Sequence, residues 1–351
     1  MNNLPLANNF DDKDILKKLS HANNRIGELN GVIRLLPNSA IILNAITLGE
    51  AKESSEIENI VTTFDEIFKE LTLKTVNPAA KEVVNYRSAM KYGFAQLSEK
   101  GFLSLNTIIK IHHIVEPDKG DIRVLPGTVI KNSKTGETIY TPPQGEAEIM
   151  WYLGNFEQYY NEDSTEDLDS LIKMAILHYQ FEAIHPFYDG NGRTGRILNI
   201  LFLVQNKKIT QPILYLSKYI NQHKDPYYQL LKAIQFDEKN FKPFILFFLD
   251  AVSEMCDFTI RFIDSFHACM ENTEKLMKEK CPKIYEPEII KHLFSDFYTK
   301  NEIFRERMKI SRNTATIILK ELERQGFLIS EKIGKEVIYK NTFLFDLIKT
   351  W

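Results

Sequence analysis

The sequence predicts a mainly α-helical chain, broken once by a β-hairpin and ending in a small module of helices and a second hairpin. Three observations carry this expectation. Apolar residues recur at steps of three and four through most of the first 275 positions. Between residues 120 and 145 that period gives way to two β-branched runs around turn residues. Near "EKCPKIYEPE" (279–288) the composition shifts, and a compact pattern of short helices and strands follows.

The elements can be justified in order. From Asp11 to Leu36, the spacing of Ile15, Leu19, Ile26, Leu29, Ile33 and Leu36 predicts an amphipathic helix, which Pro37 stops. Asn38 and Ser39 can cap a second helix over 39–52, and a third is expected through "SSEIENIVTTFDEIFKEL" (54–71). Helices over 80–98 and 104–115 follow with a similar period. "GTVIK" and "ETIYT" flank "NSKTG", a hairpin pattern that Pro142 and Pro143 end. Helices resume at 146–161, 166–181, from near Gly192, at 224–236 and at 241–275. After the linker, three helical segments precede a hairpin. Ser311 is placed to cap the last helix, Gly326 to stop it, and two short strands flank Gly334. This end of the chain resembles a winged helix-turn-helix. The pattern divides the chain into an N-terminal helical region (1–110), a core (111–278) and a winged helix (285–351).

Bulk properties narrow the partners. With 44 Lys and Arg against 47 Asp and Glu, the net charge of -3 exerts no general pull on nucleic acid or anionic membrane, so any anion site must be local. Cys256, Cys269 and Cys281 have neither zinc-finger nor redox spacing, which fits reduced thiols in a cytoplasmic protein. The start, "MNNLPLANNFDDKD", has no basic region followed by an apolar run, so no signal peptide is expected. The longest apolar run, "PFILFFLDAV", is too short to span a bilayer, so no membrane partner is expected either.

The chemistry concentrates in "HPFYDGNGRTGR" (185–196). Gly190, Gly192 and Gly195 permit unusual backbone angles and close approach of a ligand. The helical "RILNILFL" follows, so the stretch opens a helix, and free N–H groups at that junction attract phosphate. Arg193 and Arg196 are three apart on the helix, and each can bind phosphate oxygens in pairs. Asp189 is an acid among basic groups, suited to a Mg²⁺ carried by a polyphosphate. A histidine can titrate near neutrality, which suits His185 to the work of a general base. Together they describe phosphoryl or nucleotidyl transfer. A Walker A loop is excluded by the missing Lys-Ser/Thr pair, and a Rossmann site by the missing parallel sheet.

The same residues match the signature of the Fic family, His-x-Phe-x-Asp/Glu-Gly-Asn-Gly-Arg-x-x-Arg, at every fixed position. Residues 40–275 resemble a complete Fic core, with the hairpin at 120–145 in the place of that family's flap. The resemblance implies a mainly α fold and transfer of AMP from ATP to a Ser, Thr or Tyr hydroxyl of a target protein. His185 would be the base and Asp189 the Mg²⁺ ligand. The ATP site would comprise Gly190, Asn191, Gly192, Arg193, Thr194, Gly195 and Arg196. Asn191 and the backbone would hold the α-phosphate, and the arginines the outer ones. Phe187 would anchor the loop. Glycine at 192, where phosphate-transferring relatives carry lysine, favours nucleotidyl transfer. Tyr227 and Tyr228 stand where related proteins line the nucleoside pocket, although two helix aromatics also suit a core.

"EAKESSEIENI" contains Ser54, Glu58 and Asn59 in the arrangement Ser/Thr-x-x-x-Glu-Gly/Asn. It resembles the inhibitory motif that some Fic proteins carry N-terminal to the core, which implies that Glu58 pairs with Arg196 and blocks the γ-phosphate. The same letters also read as an acidic, capped first turn of a helix. The flap strands, within 127–141, are expected to dock a target segment by edge pairing. In the winged helix, Arg312, Lys320, Arg324, Lys332 and Lys335 alternate with Glu321, Glu323, Glu331 and Glu336, which disfavours DNA against protein docking or homodimer formation. The reading from sequence is thus a protein adenylyltransferase held in check by Glu58. The alternative is a nucleotide-sensing, DNA-binding transcriptional regulator.

Overall fold

A computed structural model describes residues 3–7, 10–34, 39–73, 77–131, 138–162, 168–295 and 297–349. The first half comprises α1 (Lys13–Arg34), α2 (Ser39–Ile57), α3 (Phe64–Leu73), α4 (Pro78–Lys100), α5 (Leu105–Val115), β1 (Ile130–Lys131), β2 (Thr138–Tyr140) and α6 (Glu146–Asn161). Then come α7 (Ser170–Ile184), α8 (Asn191–Gln205), α9 (Leu216–Gln222), α10 (Lys224–Phe236) and α11 (Phe241–Lys280). The last part holds α12 (Pro287–Leu293), β3 (Tyr298–Lys300), α13 (Asn301–Met308), α14 (Arg312–Arg324), β4 (Leu328–Ile333), β5 (Glu336–Asn341) and α15 (Thr342–Lys349). The mainly helical class is as the sequence predicts. Among the described residues no helix is long and apolar enough to cross a membrane.

The chain packs as two units: Met1–Leu35 with Ile46–Thr62 and Pro78–Asp257, and Leu36–Ala45 with Thr63–Asn77 and Phe258–Trp351. Residues 1–110, one region by sequence, divide between them.

The core of the first unit is the helix pair α7–α8. Fourteen of the fifteen residues of α7 are buried, the exception being Glu182. A helix buried on all sides belongs in the middle of a bundle, and α4, α5 and α6 pack around this pair. Asp169 starts α7, its side chain accepting from the Leu171 N–H at 2.8 Å. The helix therefore begins at Ser170 and ends at Ile184, later at both ends than the 166–181 expected. Strands β1 and β2 pair antiparallel, Ile130 opposite Tyr140 and Lys131 opposite Thr138, with an irregularity between Ile130 and Lys131. The turn "NSKTG" lies outside the described residues. The short α9 has no counterpart in the sequence reading.

One expected helix is two. The segment 54–71 breaks after Ile57, and α3 begins only at Phe64. The cause is a left-handed stop: Asn59 has φ 64°, Ile60 N–H donates to Ser55 O at 3.1 Å, and Asn59 N–H to Glu56 O at 3.0 Å. A capping box restarts the helix. Glu66 N–H donates to Thr63 Oγ1 at 3.2 Å and Thr63 N–H to Glu66 Oε2 at 2.9 Å. "SSEIEN" is thus the end of one helix, not the first turn of another.

The second unit carries the expected winged-helix pattern, extended by a third strand and a closing helix. Its sheet has the order β3-β5-β4, all antiparallel. Phe304, Ala315, Leu319, Leu322, Ile338 and Leu344 form its core. Asp65 of α3 belongs to this unit, accepting from Tyr298 Oη at 2.7 Å and Lys340 Nζ at 2.5 Å. Ser311 caps α14 by accepting from Thr314 N–H at 3.1 Å, and Gly326, at φ 83°, ends the turn after it. Replacing Ser311 by Ala should cost about 1 kcal/mol of stability in this unit. Urea denaturation followed by circular dichroism measures it, and an unchanged transition would show that the cap contributes nothing.

Candidate active site

The loop between α7 and α8 is held by its own backbone and by α5. His185 ends α7 in the left-handed region (φ 47°, ψ 57°), its N–H donating to Phe181 O at 3.0 Å. Two residues on, Phe187 is fully buried. The Asn191 side chain brackets the Phe187 peptide, accepting its N–H at 2.9 Å and donating to its carbonyl at 2.8 Å. His112 of α5 stacks on the Phe187 ring, centroids 3.6 Å apart and planes 4° off parallel. Its Nε2–H donates to Asp189 O at 2.9 Å. Burial lowers the His112 pKa to about 4, so it is a neutral strut. Gly190 is required twice over: its φ is 74°, and a Cβ there would lie 2.8 Å from Glu116 Cγ. Thr194 and Gly195 are buried in the first turn of α8, and a Cβ on Gly195 would meet Glu182 Oε1 at 2.9 Å. This anchoring aims the N-terminus of α8 at one spot, where its first N–H groups lack helical partners.

The two arginines diverge. Arg196, 2% exposed, donates from Nε to Ser54 Oγ and from Nη2 to Ser54 O and Glu58 Oε1, each at 2.8 Å. Glu58 caps the C-terminus of α2, and the Asn59 turn makes that end abrupt. The motif's Asn is therefore a conformational requirement, because position 59 needs a positive φ. A Cβ on Gly192 would lie 2.3 Å from Glu58 Oε1, so the carboxylate rests on the loop itself. Arg193, also 2% exposed, turns the other way: Nη1 donates to Glu82 Oε2 at 2.7 Å, and Nη2 pairs with Glu116. The two arginines, expected to serve the outer phosphates together, thus face different carboxylates. Carboxylate partners offset the cost of burying a guanidinium, and for Arg193 α4 and the end of α5 supply them. Asn191 likewise spends its side chain on Phe187, leaving its backbone N–H for a ligand.

The acid and the base are in reach of solvent to different degrees. The Asp189 carboxylate is half-exposed, accepting from Gly190 N–H at 2.8 Å with Lys119 Nζ at 3.5 Å. One exposed carboxylate suits Mg²⁺, which keeps waters and phosphate oxygens as its other ligands. Among the described residues no cluster of three His, Cys, Asp or Glu could hold a metal by itself. The half-buried His185 ring has its pKa lowered to about 4, chiefly by burial and then by Arg123. It is neutral at pH 7, the state a proton acceptor needs.

The tyrosine pair splits. Tyr227 is buried, its Oη 2.7 Å from His178 Nε2, and His178 Nδ1 is 3.0 Å from Asn199 Nδ2. It belongs to a core network, not to an open pocket. Tyr228 is exposed beside it, ring centroids 5.2 Å apart.

Several groups escaped the sequence reading: Glu82, Glu116, Arg123, Glu182 and Glu50. Glu50 is buried on α2 and receives Ser217 N–H at 2.9 Å, Tyr86 Oη at 3.2 Å and the Ser217 hydroxyl. Burial pushes its pKa up to about 7. Glu182 has the same elevation, opposed by Arg196, and among the described residues its buried Oε1 has no hydrogen-bond partner. Nothing in their local sequence marks these acids, since burial is a tertiary property.

Three successive stretches match family models: Fic/DOC family N-terminal at 16–95, Fic/DOC family at 102–203, and protein adenylyltransferase SoFic-like, C-terminal domain, at 269–344. The chain is similar to the protein adenylyltransferase Fic of Drosophila mojavensis, 28% identical over 176 residues, 50% of this chain and 33% of that protein. The Drosophila melanogaster protein of that name gives the same figures. The chain thus spans about a third of the length of these curated relatives. Among solved structures it resembles a Fic family protein from Desulfovibrio desulfuricans G20, with TM-score 0.60 and 16% identity over 94% of this chain and 97% of that one. Fic-1 (aa134–508) from C. elegans gives TM-score 0.55 and 21% identity over 70% and 71%.

The raised Glu50 pKa has a measurable consequence. Its contribution to stability is fully present below the unfolded value of 4.5 and is lost as pH rises through about 7. Glu50→Gln should therefore flatten the fall in unfolding free energy between those pH values, by on the order of 1 kcal/mol per pH unit. Urea titrations at stepped pH test this; an unchanged slope would mean that Glu50 ionises normally.

Proposed function

Because the chain belongs to the Fic family, we propose that it is a protein adenylyltransferase, moving AMP from ATP to a Ser, Thr or Tyr hydroxyl and held off by Glu58. The observation that carries this reading is the closure of Arg196 on Ser54 and Glu58 directly over Gly192. A carboxylate pinned at the N-terminus of a helix stands where a phosphate would go. The Drosophila relatives, named protein adenylyltransferases, support the same activity.

The geometry supports the following roles. With Glu58 displaced, the backbone around Gly190 and Gly192 receives the α-phosphate, and Arg196 turns its freed Nη2 to the outermost phosphate. Arg193, tied to Glu82 and Glu116, keeps the loop in shape from beneath. Neutral His185 accepts the proton of the incoming hydroxyl. The oxygen–phosphorus bond forms at the α-phosphorus as the bond to the β-phosphate bridge breaks, and diphosphate leaves. Asp189 would hold Mg²⁺, which when bound offsets phosphate charge. Tyr228, not Tyr227, is the member of the pair open to a nucleoside. The flap strands within 127–141 present edges to an extended target segment.

The winged helix reads better as a protein contact than as a DNA reader. Arg324 is paired with Glu321 at 2.6 Å, and Ile317 stands exposed on the same helix. A homodimer through this unit and a cytoplasmic setting are parts of the same proposal. A nucleotide-sensing regulator would have no use for a histidine kept neutral at the phosphate loop.

Removing the block tests the reading. Glu58→Gly, incubated with ATP and Mg²⁺, should label itself at least about tenfold faster than the native chain, equivalent to about 1.4 kcal/mol off the barrier. Intact-mass spectrometry should find the gain of AMP, and Glu58→Gly with His185→Ala should show none. Equal labelling of native chain and Glu58→Gly would remove the block; labelling without His185 would remove the base.

A further inference from the structure

Arg123 lies between α5 and the flap, and its side chain is completely buried (0% exposed). Among the described residues no carboxylate pairs with it. All its side-chain partners are carbonyls: Nε donates to His185 O at 2.7 Å, and Nη2 to Pro143 O at 3.1 Å and Ile184 O at 3.4 Å. Among the described residues, buried Nη1 has no hydrogen-bond partner. A buried cation without a counter-ion is an expensive arrangement, and its contacts indicate what it secures.

Ile184 is the last residue of α7 and His185 its C-cap; carbonyls at a helix end lack helical partners, and a cation suits that end of the dipole. His185 is a non-glycine residue at φ 47°, a conformation that the surroundings must impose. The backbone beside Arg123 adds to the grip. Arg123 N–H donates to Pro186 O at 2.9 Å, and Val124 N–H to Tyr188 Oη at 3.3 Å. Arg123 and Pro143 also lie on the two legs of the flap, on either side of residues 127–141. One guanidinium therefore joins the C-terminus of α7, the carbonyl of the histidine and the far leg of the hairpin.

We propose that Arg123 is a positioning residue that ties the flap to His185, so that a hydroxyl presented along the flap and the imidazole that takes its proton keep one fixed geometry. This rests on the transfer reading above. The guanidinium also acts through charge. The charged groups facing the His185 ring are Arg123, which disfavours its protonation, and Glu58 and Asp189, which favour it, while the ring's hydrogen bond to the Glu182 backbone favours it too.

The test uses the full chain carrying Glu58→Gly, with Arg123→Gln or Arg123→Lys added. Arg123→Gln should lower kcat for AMP transfer about 10- to 100-fold, the loss expected for a misplacement of roughly 1 Å. The Kd for ATP should stay within about threefold, since no ATP contact is removed. With the positive charge gone, the acidic limb of the rate–pH profile should move to higher pH. Arg123→Lys keeps the charge, so it should keep the limb and recover part of kcat. NMR titration of the His185 imidazole reads the same coupling without any reaction, and its midpoint should rise in Arg123→Gln. An unmoved midpoint, a kcat within about twofold of the parent, or a loss of ATP affinity in step with rate would overturn the proposal. A midpoint raised by Arg123→Gln in a Glu58→Gly background that transfers no AMP would sink the transfer reading and leave the coupling standing.

Discussion

Burying a guanidinium is costly unless an opposite charge offsets it, and around Arg196 that constraint organises the site. Its three bonds at 2.8 Å run to two residues of one helix end, Ser54 and Glu58. Burial raises the cost of keeping a charge, and a close opposite charge offsets it, so α2 stops where Glu58 can meet Arg196. The left-handed turn at Asn59 and the capping box at Thr63 are the local means of that stop. A carboxylate at a helix C-terminus opposes the dipole of its own helix. Glu58 tolerates this place because it faces a cation and the N-terminus of α8 at once.

Arg193 obeys the same rule with a different outcome. Its carboxylates, Glu82 and Glu116, come from elements packed beneath the loop, so the residue braces the turn from below. The rest of the loop is fixed without charge. The Asn191 bracket on Phe187, the His112–Phe187 stack and the close fit at Gly190 leave few freedoms. A loop held in this way can offer backbone N–H groups to an anion without first paying to order itself. Burial then sets the protonation of its neighbours: it keeps the His185 and His112 rings neutral and lets Glu50 and Glu182 hold protons near neutral pH.

Much of this was legible from residues alone, and the misses share a cause. The long helices followed from apolar spacing, and the helix start at the glycine-rich loop from composition. The helix expected over 54–71 failed because apolar period continues across a break that one positive φ creates. Arg193 and Arg196 meet different carboxylates because positions three apart on a helix still point about 60° apart, enough to face different neighbours when both are buried. Tyr227 went to the core and Tyr228 to the surface for a similar reason: adjacent helix residues face different directions.

The sequence by itself determined the helical class, the hairpin, the C-terminal module and the twelve-residue loop with its histidine, acid and glycines. These depend on local spacing and backbone permissiveness, which the order of residues carries directly. Tertiary structure alone decided which carboxylate meets which arginine, which tyrosine is buried, and that Arg123 reaches the carbonyl of His185 from 62 positions away. Those outcomes depend on burial and on partners distant in the chain, and neither has a local signature.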